Sequence, residues 1–404
     1  MKLLYFTTED LNSGLFHSQV LGLLKAVRES QTKFQITILV FNQPWKIISH
    51  LKVLKLLKNE CIKVIYIPLL PPMRWYTSNF FISNLYLIYL TTISFLFVNF
   101  KKYDFIHCRH YLTSLVLIRL RYNNFLFDVR SLHVFEYIQA KKIKLNSATY
   151  NYWLNLERLI IQKAAAVSVV SKTMISYFES IHKRNYNFCP IIADFKIIKY
   201  CVTSRLLIRN QLEWNDKRIY VYSGSFGLYG LNKEYLAKML KFILKYDNNA
   251  RFLFLVSNHK IEVDNFLSIN NFNPKIFHIK NTSYANMYTY LSAGDIGIHS
   301  LPNQIDGFSR LGTKIIEYWA SGLPVIINNY IGEAARICKE YNFGKIIDLN
   351  FNQCDFELIL AEINKLDRNK IIIDAEKLFS SYCIAKKYVN IYTNCLKNKN
   401  IYNV

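Results

Sequence analysis

The chain of 404 residues carries 51 Lys and Arg against 28 Asp and Glu, a formal charge of +23, and is 51% hydrophobic and 20% charged. That length exceeds one ordinary core and that apolar content excludes a disordered chain, so two domains of about 200 residues each fit best. The charge requires an anionic partner, whether small-molecule phosphates, an anionic membrane surface or nucleic acid, and its spread, +14 over residues 1–195 and +9 over 196–404, excludes a basic tail.

From the N-terminus, Leu3 to Phe6, Phe34 to Val40, Val64 to Ile67, Phe105 to Cys108, Asn124 to Phe127 and Ala166 to Val170 are short apolar runs separated by helical patterns. Such alternation predicts βαβ units and a parallel sheet. The first apolar run is cut off by Glu9 and Asp10, too early for a signal peptide. The eight cysteines form no CxxC pair and read as reduced thiols. A cytoplasmic protein is the expectation.

Asn79 to Phe100 lacks formal charge over about the length a bilayer requires. Ser83, Asn84, Thr91, Thr92 and Ser94 dilute it, and a single span would separate two halves of one domain. A buried or surface-lying helix is expected instead. Arg74, Trp75 and Tyr76 before it, and Lys101, Lys102 and Tyr103 after it, are headgroup-type residues that suit peripheral attachment to an anionic membrane.

After Pro190 to Asp194 the pattern restarts, with strands expected at Arg218 to Ser223, Phe252 to Val256, Lys275 to Ile279, Ile296 to His299, Val325 to Ile327 and Gly344 to Ile347. The expected architecture is α/β, two Rossmann-like doubly wound domains over 1–195 and 196–378. A last helical stretch, 379–404, is free to pack back on the first domain.

Open parallel sheets bind ligands at the carboxyl ends of their strands. Three turns there carry glycine: Ser13-Gly14 after the first strand, Ser223-Gly224-Ser225 after the first strand of the second half, and Gly307-Phe308-Ser309-Arg310-Leu311-Gly312-Thr313-Lys314 before an amphipathic helix. None matches GxGxxG or a P-loop. If the last helix starts near Ser309, Arg310, Lys314 and Glu317 share one face at its N-terminal end. Two cations beside backbone N–H groups suit a diphosphate, and a carboxylate one turn on suits paired sugar hydroxyls. An ion-pair ladder on a solvated face is the other reading of the same spacing.

Gly312 to Ile326, GTKIIEYWASGLPVI, resembles the nucleotide-sugar motif of retaining glycosyltransferases of family 4, the "glycosyl transferases group 1" class. Weaker matches keep the same order along the chain: the Ser13-Gly14 turn, Tyr103 to His107, Ala164 to Ser171, Ser223 to Ser225, Leu291 to Gly297 and Tyr388 to Tyr392. The resemblance implies the GT-B fold, two Rossmann-like domains facing each other across a cleft. The first domain would bind the acceptor and the second the nucleotide sugar.

By the resemblance Glu317 is the second glutamate of the E-x7-E signature and binds the ribose. Lys314 lies at the diphosphate, and Gly307, Phe308 and Ser309 offer backbone N–H groups to the donor, with Gly14, Gly224, Ser225 and Arg310 completing the donor set. The first glutamate position is Ser309, a departure from the signature, and Ser225, Tyr229 and Lys233 stand where many members have an Arg and a Lys. In the first domain Asp128 and Arg130 are expected, with Lys314, as catalytic residues, and His133 and Glu136 as acceptor contacts.

The implied reaction moves a sugar, with retention and without a metal or other cofactor, from a UDP or GDP sugar to a saccharide or polyprenyl-diphosphate-linked acceptor, as in bacterial capsule or O-antigen synthesis. A nucleotide-sugar 2-epimerase shares the fold and stays open as an alternative, as does a non-enzymatic basic protein. No nucleic-acid partner is expected, because no clustered cations interleave with aromatics.

Overall fold

The computed structural model describes the chain apart from residues 32, 71–78, 227–230, 257–258, 283–285, 302–306, 308, 329–331, 349, 351 and 402–404, and the side chains of 398–401. Phe308, Tyr229, Arg74, Trp75 and Tyr76, all singled out in the sequence, lie outside the described residues. The chain divides into two units. One joins Met1–Pro190 to Ser381–Val404, and the other is Ile191–Ser380.

The first unit holds β1 (Lys2–Thr7), β2 (Gln35–Asn42), β3 (Lys63–Pro68), β4 (Phe105–Cys108), β5 (Phe125–Val129), β6 (Ala166–Val169) and β7 (Asn187–Phe188). Their order is β3-β2-β1-β4-β5-β6-β7, with every neighbouring pair parallel. Leu3 to Phe6 and Phe125 to Val129 are buried throughout. Burial of both faces is why these strands read as unbroken apolar runs rather than alternating ones.

The final helix, Ser381–Ile401, belongs to this unit although 190 residues of the other unit precede it. Ile384, Ala385, Tyr388, Val389 and Tyr392 recur at helical spacing and are buried. The helix packs on the one formed by Gly22–Ser30.

The stretch Phe80–Phe97 is one helix, started by Asn79, whose side chain accepts the Ile82 N–H at 2.8 Å. It lies on the surface of the unit, with Ser83, Tyr86, Leu87, Leu90 and Ser94 inward. It is not amphipathic in the usual sense, because its outward positions are also apolar.

The second unit holds β8 (Arg218–Ser223), β9 (Ala250–Leu255), β10 (Phe277–Lys280), β11 (Ile296–His299), β12 (Val325–Asn328) and β13 (Gly344–Ile347). They run in the order β10-β9-β8-β11-β12-β13, again all parallel. Both sheets reverse direction of winding once, between β1 and β4 and between β8 and β11. These are the topological switch points at which doubly wound sheets take ligands. The chain enters and leaves the second unit side by side, with the Ala193 N–H donating to the Phe379 carbonyl at 3.1 Å.

Candidate functional site

In the second unit, the end of β8 and the N-terminus of the Thr313–Ala320 helix bring Gly224, Lys314 and Glu317, three of the expected donor residues, together. The helix starts at Thr313, with Gly312 as N-cap and no side chain capping it. Arg310 therefore precedes the helix instead of sharing its face, a correction to the start expected near Ser309. Gly307 and Ser309 are buried.

Lys314 and Glu317, one turn apart, form an ion pair at 2.7 Å. The Glu317 side chain is 2% exposed and that of Lys314 31%. Burial pushes the Glu317 carboxyl above its ordinary value, and the Lys314 ammonium opposes that shift without cancelling it. Gly224 has φ +151, a conformation that favours glycine, and the space a Cβ would enter lies 3.8 Å from Lys314 Cγ. Ser225 Oγ is 3.2 Å from His259 Nε2.

Two residues the sequence reading did not single out hold this arrangement. The Tyr318 hydroxyl accepts the Ser223 N–H at 2.5 Å, tying the end of β8 to the helix. Met287 Sδ lies 3.5 Å from Ser223 Oγ and 3.9 Å from Lys314 Nζ.

His299 is a third. It ends β11, is 8% exposed, and has a buried Nδ1 without a hydrogen-bond partner among the described residues. Burial lowers its pKa to about 4, helped by the nearby charges of Arg310 and Lys314. A neutral imidazole with an open ring nitrogen thus sits beside two cations. The only sequence signal was its place at the end of an apolar run.

In the first unit, Asp128 is a hub with no acceptor capacity left. Its Oδ1 accepts from Ser168 Oγ at 2.7 Å and from the Tyr388 hydroxyl at 2.9 Å. Its Oδ2 accepts from Arg130 Nε at 2.8 Å and His107 Nε2 at 3.1 Å. Those four bonds fill the four lone-pair sites of a carboxylate. Burial would raise its pKa, but Arg130, His107 and Arg109 outweigh burial and hold it far below the usual range. The carboxylate therefore holds the Arg130 guanidinium in place.

His107 donates from Nε2 to this ionised carboxylate, and burial keeps the imidazole neutral. Its Nδ1 is thus the acceptor for the Tyr392 hydroxyl at 2.7 Å. Arg130 gives another N–H to the Tyr388 hydroxyl at 3.1 Å and keeps one buried nitrogen without a partner. Arg109, at the carboxyl end of β4, is buried with Nε and one terminal nitrogen also without hydrogen-bond partners among the described residues. Its nearest carboxylates are Glu9 at 3.7 Å and Asp128 at 3.8 Å.

His133 is packed into an aromatic cluster. Its ring stacks on Tyr111 at 4.8 Å, with Tyr137 at 4.4 Å and Trp153 at 5.4 Å. Burial, then His110 and Lys142, holds its pKa well below the ordinary value. His133, expected as an acceptor contact, is thus placed in the packed interior of the first unit. Glu136 accepts from Ser131 Oγ at 2.7 Å. A Cβ at Gly14 would meet nothing within 4 Å. Among the described residues, no cluster of His, Cys, Asp or Glu is arranged to hold a metal ion.

No protein-family model matches the sequence. No curated protein matches it either. Solved structures do resemble it along their whole length. Sucrose-phosphate synthase from Thermosynechococcus elongatus is 15% identical, with 98% of this chain and 99% of that one covered and a TM-score of 0.72. A glycosyltransferase from Rickettsia africae is 14% identical, covering 98% and 99%, at 0.68. HepE from Anabaena, solved in complex with UDP, is 11% identical, covering 98% and 100%, also at 0.68. The chain has the fold of the GT-B glycosyltransferases, two doubly wound parallel-sheet α/β domains. At these identities the likeness is one of fold.

Proposed function

We propose that this protein is a retaining glycosyltransferase of the family 4 type that takes a UDP or GDP sugar as donor. The observation that carries this reading is the Lys314–Glu317 pair, its carboxylate buried and its ammonium half-buried, at a helix N-terminus without a side-chain cap, beside Gly224. Buried Glu317 offers two acceptor oxygens to the ribose hydroxyls. Lys314, Arg310 and the first-turn N–H groups face the diphosphate and stabilise the charge that grows on it as the sugar–phosphate bond breaks. Arg130 and Arg109 hold open donors at the carboxyl ends of β5 and β4 for the sugar or the acceptor. The acceptor is a saccharide or a polyprenyl-diphosphate-linked oligosaccharide of bacterial surface polysaccharide assembly, reached from the cytoplasm.

Thermal shift with UDP, GDP and their sugars tests the donor half, since a ligand bound to the folded state raises its stability by mass action. One nucleotide series should raise the midpoint, and Lys314→Ala and Glu317→Ala should each abolish most of the rise while keeping the unliganded midpoint within a few degrees. Unchanged shifts in both variants would remove these residues from the donor site. A putative UDP-N-acetylglucosamine 2-epimerase from Listeria monocytogenes also shares the fold, 10% identical at a TM-score of 0.57. Release of an epimerised free sugar from donor alone would favour that second reading.

A further inference from the structure

The Phe80–Phe97 helix presents its greasiest face to solvent. Phe81, Leu85, Ile88, Thr92 and Phe95 follow one another at spacings of four and three, so they form a single stripe. All five are exposed, Phe81 at 62% and Phe95 at 71%. Phe80, Leu96 and Phe97 widen the patch toward both ends. Inward lie two serines, Ser83 and Ser94, whose hydroxyls donate to the Asn79 and Leu90 carbonyls of the same helix at 2.7 Å each. A helix whose inner face carries the serines and whose outer face carries the phenylalanines is not arranged for water.

Charge identifies what covers it. The helix contains no Asp, Glu, Lys or Arg. A seam for a second helix would be flanked by charged positions that set register and partner, and here none exists. Among the described residues, Lys101, Lys102 and Arg121 gather at one end, where they line a groove with Phe95, Leu96 and Tyr122, while Arg119 donates to Asn84 on the helix itself. The nearest acid in sequence, Asp104, accepts the Lys2 N–H at 2.7 Å. An uncharged apolar stripe ending in a cationic rim matches the profile of a lipid leaflet, acyl chains beside anionic headgroups.

We infer that the outward face of this helix lies in the surface of an anionic bilayer, with Phe81, Leu85, Ile88 and Phe95 among the acyl chains and Lys101, Lys102 and Arg121 at the headgroups. Only 28% of the helix is buried within the protein, unlike a core helix of the same composition. The inference does not depend on sugar transfer and goes beyond it, because the lipids used to test it carry neither donor nor acceptor.

The test is sedimentation of the full chain with vesicles of phosphatidylcholine alone and with phosphatidylglycerol added. Wild type should bind the anionic vesicles and bind them less at high salt, where charges are screened. Phe81→Ser with Phe95→Ser should lower the partition coefficient about tenfold or more, the equivalent of one large side chain left unburied. Lys101→Glu with Lys102→Glu should reduce binding to the anionic vesicles alone. Both positions in each pair are solvent-exposed, so the thermal midpoints should match wild type, and nucleotide-induced shifts should persist. Absence of binding by wild type, or equal binding by the Phe variant, overturns the inference. A self-association seen by sedimentation velocity and lost in that variant would assign the face to a second copy instead.

Discussion

Asp128, Glu317 and Glu157 are all buried, and their different partners give them different chemistry. Asp128 is surrounded by Arg130, His107 and Arg109 and stays ionised at any ordinary pH. Glu317 has one ammonium, and its pKa ends above the ordinary value. Glu157 has only the Tyr111 hydroxyl, donating at 2.6 Å, and a weak contribution from Arg158, so burial pushes its carboxyl up to about 7. A folded-state value above the unfolded one means the native state binds the proton more tightly. The contribution to stability is then complete below about pH 4.5 and is lost as pH rises through about 7. A shift of this size corresponds to about 3 kcal/mol. Glu157→Gln keeps the neutral form at every pH, so the variant should gain stability over wild type progressively between pH 5 and 8. The measured quantity is the difference between the two in urea midpoints across that range. The comparison must be a difference, because buried His110, lowered to about 4 by burial and then Arg109, has the opposite slope over pH 4 to 6.5. A flat difference would show that Glu157 is not the protonated group. Donor binding has the reverse sign at Glu317, since an ionised acid is the required acceptor, and affinity should fall as pH drops through its raised pKa.

At the scale of elements, the strand pattern was legible almost residue for residue. Phe105–Cys108, Arg218–Ser223, Ile296–His299 and Gly344–Ile347 occur with the expected bounds, because a parallel strand buried on both faces leaves a continuous apolar run. The two-residue β7 was missed, being too short to carry a pattern. The start of the Thr313–Ala320 helix was misplaced, since its N-cap is Gly312, which has no side chain to mark it. Within that helix the spacing of Lys314 and Glu317 announced their pairing. What positions them did not show, because Tyr318, Ser223 and Met287 meet only through the fold. Gly297 illustrates the same dependence. A Cβ there would come within 2.6 Å of the Tyr318 ring, whose hydroxyl holds Ser223. Gly297→Ala should therefore cost about 1–3 kcal/mol by overpacking and also weaken nucleotide binding by displacing the helix. Tyr318→Phe tests the second half alone. It leaves the buried Ser223 N–H without its acceptor, at a cost of about 1–3 kcal/mol. Calorimetric titration with nucleotide should show weaker binding in both variants, and unchanged affinity in both would separate the tyrosine from the site.

On the scale of the whole molecule, the chain crosses between its units twice, and the second crossing brings its last helix into the first unit. Tyr388 and Tyr392 are fully buried there and donate hydroxyl hydrogens to Asp128 and His107. Sequence order hides this, because residues 128 and 388 are 260 positions apart. Removing the helix would strip Asp128 of one donor, leave Arg130 and His107 without hydroxyl partners, and uncover the apolar side of the Gly22–Ser30 helix against which it packs. Each buried polar group left without its hydroxyl partner costs about 1–3 kcal/mol, and more where the group is charged. The two ends of the second unit are joined independently of this helix, by the Ala193 N–H and the Phe379 carbonyl. A chain ending at Ser380 should therefore show rapid proteolysis and hydrogen exchange in β1, β4 and β5, with β8 to β13 protected as in wild type. Nucleotide should still raise the stability of the protected part. Equal loss of protection in both units would mean that the final helix supports the whole molecule, and protection retained in β4 and β5 would mean that the Asp128 hub stands without its tyrosines.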